Sequence, residues 1–122
     1  MKTELSENTK SPECWSTDRQ ARGLRVQLSP DHSFVLPFEH FIYSELQTGE
    51  ENHTLKIVFA THEVILRGHP LHRLEQRMQK MELAFVAAVP EKYHSLVTEG
   101  EQLIREIAVI APHATEQNST KT

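Results

Sequence analysis

The sequence predicts an α+β fold: an antiparallel sheet of four to six strands, read as a meander, with one clear amphipathic helix over about residues 70–81. Three observations carry that prediction. Within residues 54–68, Leu55, Ile57 and Phe59 and then Val64 and Leu66 recur with a period of two, in two runs. From Pro70 the period changes, and Leu71, Leu74, Met78 and Met81 fall on one stripe at i, i+3, i+7 and i+10. Dense turn chemistry at Ser29-Pro30-Asp31-His32-Ser33 and around Gly49 separates further strand-like runs upstream.

Taken in order, residues 1–21 hold only Met1, Leu5, Cys14, Trp15 and Ala21 as apolar side chains. Such a stretch cannot bury enough surface to offset its ordering entropy, so it reads as a disordered polar tail. The folded domain is then residues 22–111, and residues 112–122 form a second polar tail. Leu24, Val26 and Leu28 alternate with Arg25, Gln27 and Ser29, a half-buried strand. Residues 34–46 are rich in aromatic and β-branched side chains. Pro37 has no ladder donor, so it marks an edge, a bulge or a division between two short strands. Residues 47–53, with Gly49 and two glutamates, read as a loop.

In the central stretch, the apolar parity moves from odd (Leu55, Ile57, Phe59) to even (Val64, Leu66) across residues 60–63. A hairpin with Thr61-His62 at its tip sets Phe59 against Val64, Ile57 against Leu66 and Lys56 against Arg67. A single strand with a one-residue bulge restores the same face. Thr-His is poor chemistry for a two-residue turn, yet the hairpin is the preferred geometry. Gly68 ends the run, and Pro70 suits the first turn of a helix. That helix can lie on the sheet face carrying Ile57, Phe59, Val64 and Leu66. Residues 83–89 form a short apolar run closed by Pro90, read as a strand. Residues 90–99 read as a second short helix ended by Gly100, and residues 103–110 as a last, β-branched strand.

The chain has 122 residues, enough for one domain, with 38% apolar and 25% charged side chains. No apolar run approaches the roughly 18 residues of a membrane span, and the first residues lack the apolar core of a secretory signal. A single cysteine makes no internal disulfide, which agrees with a cytoplasmic location. A net charge of −4 argues against a general nucleic-acid or anionic-membrane binder.

Eight histidines raise the question of metal. The tightest set is His62, His69 and His72, with His69 and His72 three apart across the helix start. Pro70 lies between those two, and no Cys pair or His-Glu-x-x-His run supports them, so solvated histidines are the preferred reading. No cofactor is expected. By strand parity His40 sits between Phe38 and Ile42 toward the core. Arg67, Arg73, Arg77 and Lys80 make the best cationic cluster, suited to a phosphate backbone or, more simply, to water. No catalytic constellation and no glycine-rich phosphate loop stands out.

The function expected from these features is a small non-enzymatic structural or protein-interaction module that self-associates, most simply as a homodimer. The alternatives are a nucleic-acid accessory protein using the Arg67–Lys80 stripe and a metal-dependent protein using His62, His69 and His72. Self-association follows from counting faces. One helix covers two or three strands, and the other sheet face still carries Val58, Ile65 and, by parity, some of Val35, Phe41 and Tyr43. Curling into a closed barrel would bury this face within one chain, but Pro37 and the charged loop at residues 49–51 interrupt a barrel. A second copy is therefore preferred, and Val58 and Ile65 are the expected interface residues.

Overall fold

The computed structural model describes residues 13–97 and 101–111, whose strands divide between two four-stranded sheets. The first holds β1 (Trp15–Thr17), β2 (Gly23–Ser29), β3 (His32–Pro37) and β7 (Leu83–Ala87), in the order β1-β7-β2-β3. The second holds β4 (Phe41–Gln47), β5 (His53–Phe59), β6 (Glu63–Gly68) and β8 (Ile104–Ile110), in the order β4-β5-β6-β8. One α-helix, α1 (His72–Gln79), and two 3-10 turns, Phe38–His40 and Glu91–Leu96, complete the described elements. The class is α+β, as the periodicity predicts. The expected meander survives as β4-β5-β6, while the earlier strands form a sheet of their own.

Pro37 is where the chain changes sheets. It ends β3, and the 3-10 turn after it carries the backbone into β4 on the other layer. Phe38 is buried at that corner, and its N–H donates to the Arg22 carbonyl at 2.8 Å. The turn also resets the side-chain parity. His40 is therefore exposed instead of facing the core, and Phe41 turns inward, its ring edge-on to Phe59. Val35, placed by parity beside Val58, lies on the first sheet and is exposed there.

The β5–β6 hairpin is present, with its tip one residue earlier than expected. Ile57 faces Val64 and Leu55 faces Leu66, and the Phe59 N–H donates to the His62 carbonyl at 2.8 Å. The buried face is preserved because the shift moves every partner by two residues. Lys56 thereby faces Ile65 instead of Arg67, which avoids setting like charges opposite each other.

Residues 13–21 belong to the fold, a correction to the tail read from their composition. Trp15 pairs with Val86 and Ser16 with Phe85 along the edge of the first sheet. Cys14 is buried, and its carbonyl accepts the Ala87 N–H at 2.8 Å. Residues 1–12, residues 98–100 and the tail expected over 112–122 lie outside the described residues. The short helix expected over 90–99 is a 3-10 turn where it is described. β7 lies between β1 and β2 and runs parallel to β2, Arg25 facing Phe85 and Gln27 facing Ala87.

α1 is shorter than its apolar stripe. Pro70 precedes it, and Leu71 is the N-cap. Leu71, Leu74 and Met78 are fully buried, whereas Met81 is exposed. The helix stops before Met81, whose φ of 57° turns the backbone out of the helical path and off the stripe. The stripe seals one core shared by both sheets, in which Leu24, Val26, Ile57, Leu66 and Ile104 are also fully buried.

Candidate functional site

Three strand pairings fix the outer face of the second sheet. Tyr43 faces Val58, which faces Glu63, which faces Ile110. One step along, Glu45, Lys56, Ile65 and Ala108 are in line, and one step further Gln47, Thr54, Arg67 and Glu106. The opposite face carries Leu55, Ile57, Val64 and Leu66 into the core, so this grid points outward by strand alternation.

A bulge between Phe41 and Tyr43 adds to it. Ile42 and Tyr43 are both exposed, at 60% and 47%, because the extra residue breaks the alternation at that point. Val58 is only 9% exposed and stands outside the core cluster. Ile110 is exposed at the far edge of the sheet. Ile65 is half-buried, and with Arg67 it lines two shallow grooves of about 340 and 270 Å³. The apolar residues are thus interleaved with Glu45, Lys56, Glu63, Arg67 and Glu106, charges of both signs.

The cationic stripe does not stay together. Arg67 belongs to this sheet face, where it lies 3.7 Å from its cross-strand partner Glu106. Arg77 reaches Glu82 at 3.2 Å. Arg73 and Lys80 are exposed on α1 and just beyond it.

The histidine set is also divided. His62 lies at the β5–β6 turn, hydrogen-bonded to Thr61 Oγ1 at 2.8 Å and beside the Phe34 ring. His69 follows β6 at its other end, so a whole strand separates the two. The neighbour that His69 does meet is His53, ring to ring at 4.6 Å and 62°. Among the described residues, no three His, Cys, Asp or Glu side chains are grouped as a metal ion requires.

His53 and Gln102 are the buried polar residues at the start of α1, and neither stood out in the sequence. His53 Nδ1 accepts the Leu71 N–H at 3.1 Å, and Gln102 Oε1 accepts the Arg73 N–H at 3.1 Å. Burial holds His53 below the ordinary histidine pKa, and His69 and His72 push the same way. A signal for His53 was present: it shares the odd parity of Leu55, Ile57 and Phe59 one step upstream. Gln102 has no comparable mark, because it precedes β8 in an irregular segment.

Elsewhere, a cleft of about 780 Å³ opens where the parallel strands β2 and β7 end, walled by Leu28, Pro30, Ala88 and Pro90. Its charged groups, Glu13, Glu91, Arg105 and Glu106, are all exposed. His94 also lines it, with Nε2 2.7 Å from the Val89 carbonyl oxygen. No protein-family model, curated protein or solved structure matches the chain. No helix among the described residues is long and apolar enough to cross a membrane.

Proposed function

We propose that this chain is a non-enzymatic protein-interaction module that self-associates through the outer face of β4-β5-β6-β8. The observation that carries the reading is that Ile42, Tyr43 and Ile110 are exposed, and Ile65 half-exposed, on one side of one sheet. Exposed apolar side chains scattered singly need no partner, but an apolar group on one regular surface does call for one. A second copy is the simplest occupant, because the face carries both charge signs and can complement itself. Under a two-fold axis the acids Glu45, Glu63 and Glu106 of one copy can approach Lys56 and Arg67 of the other.

Size sets the expected strength. Four strands about 4.8 Å apart and some 20 Å long give a flat face of roughly 400 Å². A standard interface takes about 800 Å² from each partner. Association through this face alone is therefore weak, in the micromolar range or above. The single free cysteine, Cys14, suits a reducing, cytoplasmic setting for such a module.

Sedimentation equilibrium at tens of micromolar tests the reading. Wild-type protein should show a monomer–dimer equilibrium, and Ile65→Glu should shift it to monomer without loss of folding. A strict monomer whose mass and solubility are unchanged by Ile65→Glu refutes it.

A further inference from the structure

The start of α1 is held by side chains from distant parts of the chain. Its N-cap residue is Leu71, which has no side-chain acceptor, and no local cap bond forms. A helix begins with N–H groups that lack intrahelical partners. Here the Leu71 N–H goes to His53 Nδ1, and the Arg73 N–H goes to Gln102 Oε1. Gln102 does not titrate. His53 does.

A neutral imidazole has one N–H and one bare nitrogen, and the bond to Leu71 requires the bare nitrogen to be Nδ1. A proton there replaces an acceptor with a donor that faces another donor. We propose that His53 is an acid-operated latch: neutral, it fixes the entry to α1, and protonated, it releases that entry and lets the helix open. The inference is independent of the interface proposed above.

The surroundings all work in one direction. His69, in the link between β6 and α1, lies ring to ring with His53, and His72 is the first residue of the helix. Both act electrostatically against a proton on His53. From β8, Arg105 reaches the preceding residue, donating to Asn52 Oδ1 at 3.1 Å. The N-terminal end of α1 contributes the positive pole of its dipole. An imidazolium at position 53 thus has nowhere favourable to sit while the helix is docked. In the opened state His53 can take a proton in water. Acid therefore favours opening, and the segment released carries the buried Leu71.

Amide NMR of the full chain from pH 7.5 to 5 tests the latch. The Leu71 amide and the His53 ring should titrate with one common midpoint. Protection of the α1 amides against hydrogen exchange should fall roughly tenfold or more at the acid end, beyond any change in the β5–β6 ladder. His53→Asn keeps an acceptor at the δ position for the Leu71 N–H and cannot titrate, so it should keep the neutral spectrum and abolish the acid-dependent loss. The proposal is overturned if His53→Asn opens with the wild-type pH dependence, or if the Leu71 amide ignores the His53 midpoint. The second criterion decides the question from wild-type protein alone should the variant fail to fold.

Discussion

Gln102 Oε1 accepts the backbone N–H of Arg73 at 3.1 Å, so the segment leading into β8 caps a helix that begins thirty residues earlier in the chain. The bond stands in for a local cap that Leu71 cannot supply. Gln102 is 3% exposed, and its Nε2 has no partner among the described residues. One polar contact is made there and one buried donor is left unmet. Gln102→Ala should cost about 1–3 kcal/mol in urea unfolding, from the lost cap and the space left behind. Gln102→Met fills most of that space, so the loss it retains isolates the cap. Both variants within about 0.5 kcal/mol of wild type would leave the cap without energetic weight.

The apolar stripe of α1 should be the most sensitive part of the helix. Leu74 and Met78 are fully buried, and truncating either to Ala should cost on the order of 2–5 kcal/mol. Gln76 and Gln79 are exposed on the same helix, and their Ala variants should be nearly silent. Equal effects from the two pairs, measured by chemical denaturation, would mean that the stripe does not face the core.

Gly68 ends β6 where β8 begins to pair with it. A Cβ at this position would overlap the Leu103 carbonyl, which also accepts the His69 N–H at 2.9 Å. Backbone cannot step aside as a flexible side chain can. Gly68→Ala should therefore destabilise by about 3 kcal/mol or more, at the upper end of overpacking effects. A variant unfolding at the wild-type urea midpoint contradicts this close approach.

What could be read in advance followed from periodicity. Residues 54–68 and the Leu71, Leu74, Met78 stripe repeat their signal several times, so β5, β6 and α1 were legible. Three-residue β1 offers no such repetition, and its pairing with β7 is made by backbone across a long separation in sequence. The division into two sheets was hidden for a related reason: Pro37 signals a break but not which layer the chain enters next. His40 was misplaced because a 3-10 turn resets parity without altering composition. At the candidate interface Val58 and Ile65 were visible by alternation, while Ile42 joins them through a bulge that parity cannot foresee.

The lowered pKa of His53 makes stability depend on pH with a definite sign. As pH falls through the ordinary histidine value of about 6.5, an unfolded His53 takes up a proton while the folded one resists. The unfolded state then binds more protons, so stability falls. The contribution is fully present above the unfolded pKa and disappears as pH drops to the folded value. Urea midpoints should be flat from pH 8 to 7 and decline below about 6.5, and His53→Asn should remove part of that decline. A wild-type midpoint that rises on acidification from pH 7 to 5.5 contradicts the sign.

Cys14 offers a direct test of whether residues 13–17 are part of the fold. Its thiol donates to the Gln102 carbonyl at 3.3 Å, and burial raises its pKa, outweighing the lowering by a backbone hydrogen bond at Ile104. Nearby Glu13 and Glu101 push it up further. The thiolate is the reactive species, so a buried thiol with a raised pKa should be slow toward iodoacetamide. In the folded protein Cys14 should react at least about a hundredfold more slowly than in urea, and its rate should report β1 leaving β7. Pro substitution at Ser16, which pairs with Phe85 in β7, weakens that docking and should raise the rate while α1 stays protected. A native thiol labelled as fast as the unfolded one would return the segment to the tail that its composition suggests.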